Sequence, residues 1–284
     1  MAGARRYCGR GNGCRLRPVL GYRLRPRSAP SVHVRGGPAA RLRAGTLTVR
    51  LVGLGGSATV DGGLGALNAL GTEFRSSSGA AVGRQGAADL RALHSVASAG
   101  PALATPGHVE VLADVTTPLC DAAHVLGPQE GADATGIEVL AQGLEDLAGL
   151  TEAAFNRLGL RLEARTGAAG GLGFALALLG GELVDGAERV ARLMGLGEAL
   201  AAADLLVVGE GQLDTTSTQG KFVGAAAALA AQHCCPVVAV VGCATARLPG
   251  IRDLVEAAAD GPGGDPFDEV AAAAAELAGR TTTE

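Results

Sequence analysis

The sequence predicts an α/β protein built around parallel sheet, and three observations carry that prediction. Short apolar runs rich in β-branched residues recur along the chain, each followed by a glycine-containing loop and then a helical pattern. The 45 glycines suit tight connections between strands and helices. The unit is clearest in Asp204–Lys221 (DLLVVGEGQLDTTSTQGK), where a buried-strand run from Leu205 to Val208 breaks at Gly209-Glu210-Gly211. A polar loop then ends in Gly220-Lys221, and an alanine-rich helical run extends from Phe222 to Ala231. Parallel-sheet proteins bind ligands in loops of this kind, beyond the carboxyl ends of strands. Lys221 is the only lysine among 24 basic residues, and its place suits a point charge for phosphate.

A chain of 284 residues has room for two domains. Its charge is unevenly placed: residues 1–50 hold 12 of the 24 basic residues and no acid. The rest carries 12 basic and 28 acidic residues, a net of −16, which argues against a general nucleic-acid-binding role. Residues 1–45 read as a disordered arginine-rich leader, or as the product of a start site upstream of the folded frame. Gly21, Pro26, Pro30 and Pro38 would break the amphipathic helix of a transit peptide. The six cysteines (Cys8, Cys14, Cys120, Cys234, Cys235, Cys243) form no Cys-x-x-Cys pair and read as reduced thiols of a cytoplasmic protein. No uncharged apolar run reaches the roughly 18–20 residues of a membrane span.

Folded sequence is expected from Thr46. Leu47 to Leu54 reads as a buried strand leading into Gly55-Gly56-Ser57-Ala58-Thr59-Val60-Asp61-Gly62-Gly63. Ser57 and Thr59 are expected to cap a helix near Gly65 to Gly71, whose N-terminus would favour an anion. Asp61, the one charged group in this loop, is a candidate metal ligand or general base. Gly53-x-Gly55-x-x-Ala58, with Glu73 20 residues after Gly53, also matches a dinucleotide fingerprint. Asp61-Gly62-Gly63 would interrupt the helix that fingerprint needs, so it is the weaker reading. Further along, Arg75 to Gly79 reads as a turn, Ala87 to Leu93 as a brief helix and His108 to Val115 as a strand whose Asp114 orders the next loop. His94 and His124 carry no catalytic pattern. Ile137, Leu140, Ala141, Leu144, Leu147 and Ala148 mark an amphipathic helix. The glycines of Gly167–Gly173 favour close packing. Helical patterns from Ala187 to Ala203, a strand from Pro236 to Val241 and a helix from Phe267 to Ala278 complete the chain.

Four segments together resemble the glycerate kinase family: GGSATVDGG (55–63), DVTTPLCDAAHVLGPQEGA (114–132), GAAGGLG (167–173) and GEGQLDTTSTQGK (209–221). Their order and spacing match as well, and the resemblance covers residues 46–284. It implies a two-domain α/β kinase in which a Rossmann-like parallel-sheet domain is split by an inserted mixed α/β domain. On that basis 46–200 is the inserted domain and 201–284 the C-terminal part of a truncated Rossmann-like domain. The implied reaction moves the γ-phosphoryl group of ATP to a hydroxyl of D-glycerate, with Mg2+ assisting and the 2-position favoured. Such chemistry needs positioning and charge neutralisation more than covalent catalysis. Gly55, Gly56, Ser57 and Thr59 then offer donors to an anion, as do Ser217 and Gly220. Asp61 is the base or metal ligand near the accepting hydroxyl. Glu210 and Asp214 hold Mg2+ directly or through waters, and Lys221 neutralises phosphate or the substrate carboxylate.

The sequence also departs from the family pattern. The Asp-Ser-Phe-Lys-Gly-Ser and Asp-Gly-Gly-Glu-Gly motifs are absent. Val60 stands for a usual asparagine, Glu130 for a lysine, Gln212 for a frequent arginine and Thr216 for a glutamine. The alternative expectation is therefore a truncated or inactive kinase-like protein without turnover. The kinase reading requires Asp61, Asp214 and Lys221 to serve one crevice.

Overall fold

The computed structural model of the chain describes residues 49–54, 59–83, 86–99, 108–218, 221–257 and 266–281. The expected leader, Gly55, Gly56, Ser57 and Gly220 lie outside these residues. The architecture is α/β with two three-stranded parallel sheets, as expected, and one small antiparallel sheet that sequence reasoning did not find.

The first parallel sheet has the order β1-β5-β6, from β1 (Val49–Gly53), β5 (His108–Ala113) and β6 (Glu182–Asp185). Val52 lies opposite Val111, and Val111 opposite Leu183. Alternation along β5 buries Val109, Val111 and Ala113 on one face, against Ala168 and Leu176 of α4 (Ala168–Leu178). β1 was expected to be buried throughout, but it is an edge strand with Leu51 44% exposed. Its alternate residues therefore have a core on one side only. Helix α4 is apolar all round and buried on nearly every residue, the pattern of a core helix.

Around α4 the main core gathers α1 (Leu64–Ala69), α2 (Leu119–Leu126) and α3 (Ala134–Phe155), with Leu67, Phe74, Leu119, Leu147 and Phe174 buried together. Phe74 comes from the antiparallel sheet β3-β2-β4, made of β2 (Glu73–Arg75), β3 (Ala81–Val82) and β4 (Ser95–Ser98). The expected turn survives between β2 and β3, where Gly79 N–H donates to the Ser76 carbonyl at 2.9 Å. The expected brief helix is a 3-10 turn over Gly86–Ala92.

The second parallel sheet has the order β7-β8-β9, from β7 (Leu206–Leu213), β8 (Val237–Ala244) and β9 (Ile251–Glu256). Central β8 is buried on both faces. Val237, Ala239 and Val241 pack with Val223 and Ala226 of α7 (Phe222–Gln232), while Val238 packs with Ala273 and Leu277 of α8 (Pro266–Thr281). That explains its continuous apolar run. β7 corrects the expected break at Gly209: pairing with β8 continues through Gln212↔Cys243 to Leu213↔Ala244. The glycines permit this close approach, since a Cβ on Gly242 would lie 2.3 Å from the Gly211 carbonyl oxygen. Helices α5 (Gly186–Leu193) and α6 (Leu196–Ala201) lead from β6 to β7, and Ala191 and Leu200 already belong to the second sheet's core. No described helix is long and apolar enough to cross a membrane.

One buried ion pair fixes the end of α3. Asn156 takes a left-handed φ of 54° and turns the chain back. Glu152, only 1% exposed, accepts the Arg161 backbone N–H at 2.7 Å and the Gly159 N–H at 3.2 Å. The Arg161 guanidinium reaches the same carboxylate at 2.9 Å. Burial pushes the Glu152 carboxyl up, but the Arg161 and backbone hydrogen bonds outweigh it and hold the group below the usual range. Because the folded value is depressed, this stabilisation is present above the ordinary carboxylate range and lost as pH falls through the folded value. Glu152→Ala leaves Arg161 only its exposed partner Glu145 and strands two N–H groups, so a loss of about 2 kcal/mol is expected at neutral pH. Melting curves should show the gap to the natural chain closing in acid; a gap indifferent to pH would refute the assignment.

Candidate active site

The carboxyl end of the first parallel sheet is where three glycine-rich segments meet. β1 leads into the 55–63 segment, and Leu54 N–H still pairs with the Leu112 carbonyl at 2.9 Å. Gly62 N–H then donates to the Gly170 carbonyl at 2.8 Å. The approach is too close for a side chain on either partner. A Cβ on Gly170 would fall 1.8 Å from the Thr59 carbonyl oxygen, and one on Gly171 would fall 2.4 Å from Gly62 Cα. Gly170 and Gly171 also take φ of 66° and 97°, a region that glycine enters without strain. The packing role expected of this segment is thus the one its geometry favours. The 114–132 segment joins the same junction: Gly167 N–H donates to the Thr117 carbonyl at 2.9 Å, and Arg165 N–H to Thr116 at 3.1 Å. Buried Thr166 accepts the Leu119 N–H at 2.9 Å, supplying the start of α2 with an acceptor.

This junction buries Asp61. Its residue is 6% exposed, and Oδ1 accepts the Gly63 N–H at 2.9 Å. Desolvation by burial pushes the Asp61 carboxyl above the usual carboxylate range, with backbone N–H groups including those of Gly63 and Gly65 pulling the other way. A carboxylate so placed is more basic than one in water. Thr59, half-buried, precedes it, and Asp114 is exposed beyond the end of β5. Helix α1 starts at Leu64 with Gly63 at its N-cap and no side-chain cap, which corrects the expectation that Thr59 caps it; Ser57 lies outside the described residues. The left-handed Gly62-Gly63 pair turns the chain instead. That late start also removes the dinucleotide reading. The helix begins after the fingerprint, and Glu73 sits exposed in β2, paired with Arg75 at 3.2 Å.

The second group of residues lies at the carboxyl end of β7. Lys221 is the N-cap of α7, and its Nζ stands 3.7 Å from Asp214 Oδ1. Ser217 is fully buried in the 3-10 turn Thr215–Thr218, and its Oγ accepts the Asp214 N–H at 3.2 Å. Ser217 therefore shapes the loop that presents Asp214. Glu210 shares a strand face with Val208, and its Oε1 is buried without a hydrogen-bond partner. An orphaned carboxylate oxygen is the kind of atom a cation satisfies. Among the described residues no group of three or more His, Cys, Asp or Glu side chains could hold a metal ion. Asp214 is held beside Lys221 and Ser217, and Glu210 lies four residues earlier on β7. Thr245 N–H donates to the Leu213 carbonyl at 2.9 Å and ties the end of β8 to this loop.

Asp214, Ser217 and Lys221 are brought together, and Asp61 and Thr59 are brought together. No hydrogen bond or ion pair joins Asp61 to the second group among the described residues. Two cavities of about 420 and 450 Å3 lie away from both groups, the larger beside Arg157 and Gly180 and the other beside Asp204 and Arg252. Sequence reasoning missed Arg165 and Thr166, which clamp the 114–132 segment. Only their position next to Gly167 could have marked them.

The model of the glycerate kinase family matches residues 39–283. An uncharacterized protein of Synechocystis is 40% identical over 205 residues, covering 70% of this chain and 53% of the relative. The glycerate 2-kinase of Escherichia coli K12 is 35% identical over 201 residues, covering 69% of this chain and 52% of that enzyme. A crystal structure of the provisionally named glycerate kinase 2 of Salmonella typhimurium LT2 superposes with a TM-score of 0.58 at 34% identity, covering 74% of this chain and 56% of that one. The chain spans about half the length of the curated relatives it matches. With its motifs closed on one another at the end of a parallel sheet, the chain belongs to the glycerate kinase family.

Proposed function

We propose that this chain supplies the substrate-binding and catalytic loops of an ATP-dependent glycerate kinase. The observation that carries the reading is the burial of Asp61 where three family segments lock together at the carboxyl end of a parallel sheet. A D-glycerate hydroxyl, the 2-hydroxyl by analogy with the Escherichia coli relative's name, attacks the γ-phosphorus of ATP. A P–O bond forms to glycerate, the bond to the β-phosphate oxygen breaks, ADP leaves, and Asp61 takes the hydroxyl proton. Desolvation raises the basicity that this step needs. Gly55, Gly56, Ser57 and Thr59 donate to the substrate's anionic oxygens. Lys221, Ser217 and Gly220 form the second phosphate-binding loop at the positive end of α7. Glu210 and Asp214 would hold Mg2+, which supplies charge neutralisation on the transferred group.

In this reading residues 46–200 form the inserted domain and 201–284 the C-terminal part of a Rossmann-like domain, with α5 and α6 as the seam. The reading requires the two loop groups to face one crevice between them. All four described cysteines are free, which suits a cytoplasmic enzyme, and the acidic body suits small-molecule substrates rather than nucleic acid. A second reading, a family member without turnover, is favoured by apolar side chains left open on two strands, Leu51 at 44% and Val207 at 57%.

An assay coupled to ADP release, with D-glycerate, ATP and Mg2+, separates the two readings. Turnover is expected, and enolase coupling should consume the product if the 2-hydroxyl is phosphorylated; absence of turnover from folded protein would favour the second reading. Lys221→Ala is expected to lower kcat/KM by roughly a hundredfold, the scale of one lost charge-stabilising donor.

Asp61→Asn gives a paired test. It should lower kcat at least about a hundredfold while keeping an acceptor for Gly63 N–H. Because burial raises the folded carboxyl, the stability contributed by Asp61 is present in acid and lost as pH rises through the folded value. The variant should therefore melt higher than the natural chain at mildly alkaline pH, with no gain in acid. A lower melting temperature at alkaline pH would contradict the buried-charge account.

A further inference from the structure

Among the described helices and strands, only α5 packs extensively against both parallel-sheet halves of the chain. Its first turn sits on the end of β5, where a Cβ on Gly186 would lie 3.4 Å from both Leu112 Cβ and the Ala113 carbonyl oxygen. One turn on, Arg189 reaches Glu110 of β5 with two hydrogen bonds. Nη2 donates to Oε1 at 3.0 Å, and Nε donates to Oε2. Ala191 is buried instead in the second sheet's core, with Val223 and Ala226 of α7. Two residues apart on a helix are turned about 200° around its axis, so Arg189 and Ala191 point to nearly opposite sides.

The two sides are held by different forces. Toward α7 the contact is apolar, whereas toward β5 the reach beyond Gly186 is made by the ion pair. An exposed pair would contribute little, because water screens it and two long side chains must be ordered. This one is 30% exposed at Arg189 and 13% at Glu110, and its two parallel bonds fix orientation as well as distance. Asp185 secures the helix start by accepting the Glu188 N–H at 2.9 Å.

Both ends of this link lead to candidate site residues. The Leu112 carbonyl near the end of β5 accepts the Leu54 N–H at the mouth of the Asp61 loop, and α7 begins with Lys221 at its N-cap. We propose that Arg189, through Glu110, is a positioning residue that sets where the Lys221 loop stands relative to Asp61. The catalytic consequence rests on the kinase reading, though the coupling of the two halves does not. Phosphoryl transfer depends on the placement of groups around the transferred phosphorus more than on covalent chemistry, so a link that fixes the two halves acts on the rate.

Arg189→Met and Glu110→Gln each break the pair and leave both loop groups intact. In either variant kcat should fall at least about tenfold, since a misplacement of about 1 Å can cost about a hundredfold. ATP and D-glycerate, titrated one at a time, should still bind as they do to the natural chain. The double variant should lose no more than either single variant, because the two side chains act as one contact. Spin labels on bio-orthogonal residues replacing the exposed Glu138 of α3 and Asp268 of α8 report the placement of the halves directly. Their distance distribution should shift or broaden in both variants. An unchanged distribution overturns the proposal, as does an unchanged kcat in a folded variant or a double variant whose losses add. If the natural chain shows no turnover, the kinase reading falls and the label distances alone decide. A shift then upholds the link between the halves, and identical distributions reject it.

Discussion

The Asp61 half of the candidate site depends on one backbone contact, the Gly62 N–H to Gly170 carbonyl hydrogen bond between two turns that have no side chains to separate them. It brings the loop after β1 against the start of α4, a helix buried on nearly every residue. Because a Cβ at Gly170 or Gly171 would overlap backbone atoms, the contact has no room to adapt. The turn carrying Asp61 is thereby fixed by the least compressible part of the molecule, a close-packed interior. That is the property a group needs if it is to be held in one geometry for proton transfer.

The same contact explains why a carboxylate is buried there at all. Desolvating Asp61 opposes folding, and the backbone N–H groups around it offset only part of the effect, since its carboxyl still sits above the usual range. Glu152 shows the opposite outcome at the end of α3. It is buried even more deeply, but Arg161 and two backbone N–H groups surround it and its carboxyl is held low. A carboxylate closed by a cation serves structure, whereas one given only partial compensation remains available for a proton. Magnitude and sign of the compensation, rather than burial alone, distinguish the two acids.

Much of this organisation was legible in the sequence, and the exceptions share a physical cause. Apolar runs located β1, β5, β7 and β8, and the 3.6-residue period located α3, because each signal is local to its own segment. β6 and β9 were missed: Leu183 and Val184 are too short a run, and β9 mixes Arg252 and Asp253 into the strand. The strand order and the small antiparallel sheet depend on pairing between distant segments, which no window records. β7 was cut short for the same reason. Gly209 and Gly211 read as breakers in isolation, yet in the sheet they allow pairing with β8 to continue. At the site, residue types marked Asp61 and Lys221 as candidates. The clamp from Arg165 and Thr166 was invisible, since only the fold brings them to Thr116 and Leu119.

The departures from the family pattern also look different once they are placed. Val60, where an asparagine is usual, is 4% exposed and packs in the main core with Leu64, so its apolar side chain is absorbed beside Asp61. Glu130, where a lysine is usual, follows the far end of α2, whose start rather than its end joins the junction. An eight-residue helix is about 12 Å long, so the reversed charge follows the end of α2 away from the junction. Gln212 is different. It lies exposed in the extension of β7 between Glu210 and Asp214, opposite Cys243. A cation there would add a second positive charge beside Asp214, which already has Lys221 Nζ at 3.7 Å; the neutral amide adds none. The substitution nearest the first loop, by contrast, is accommodated by packing.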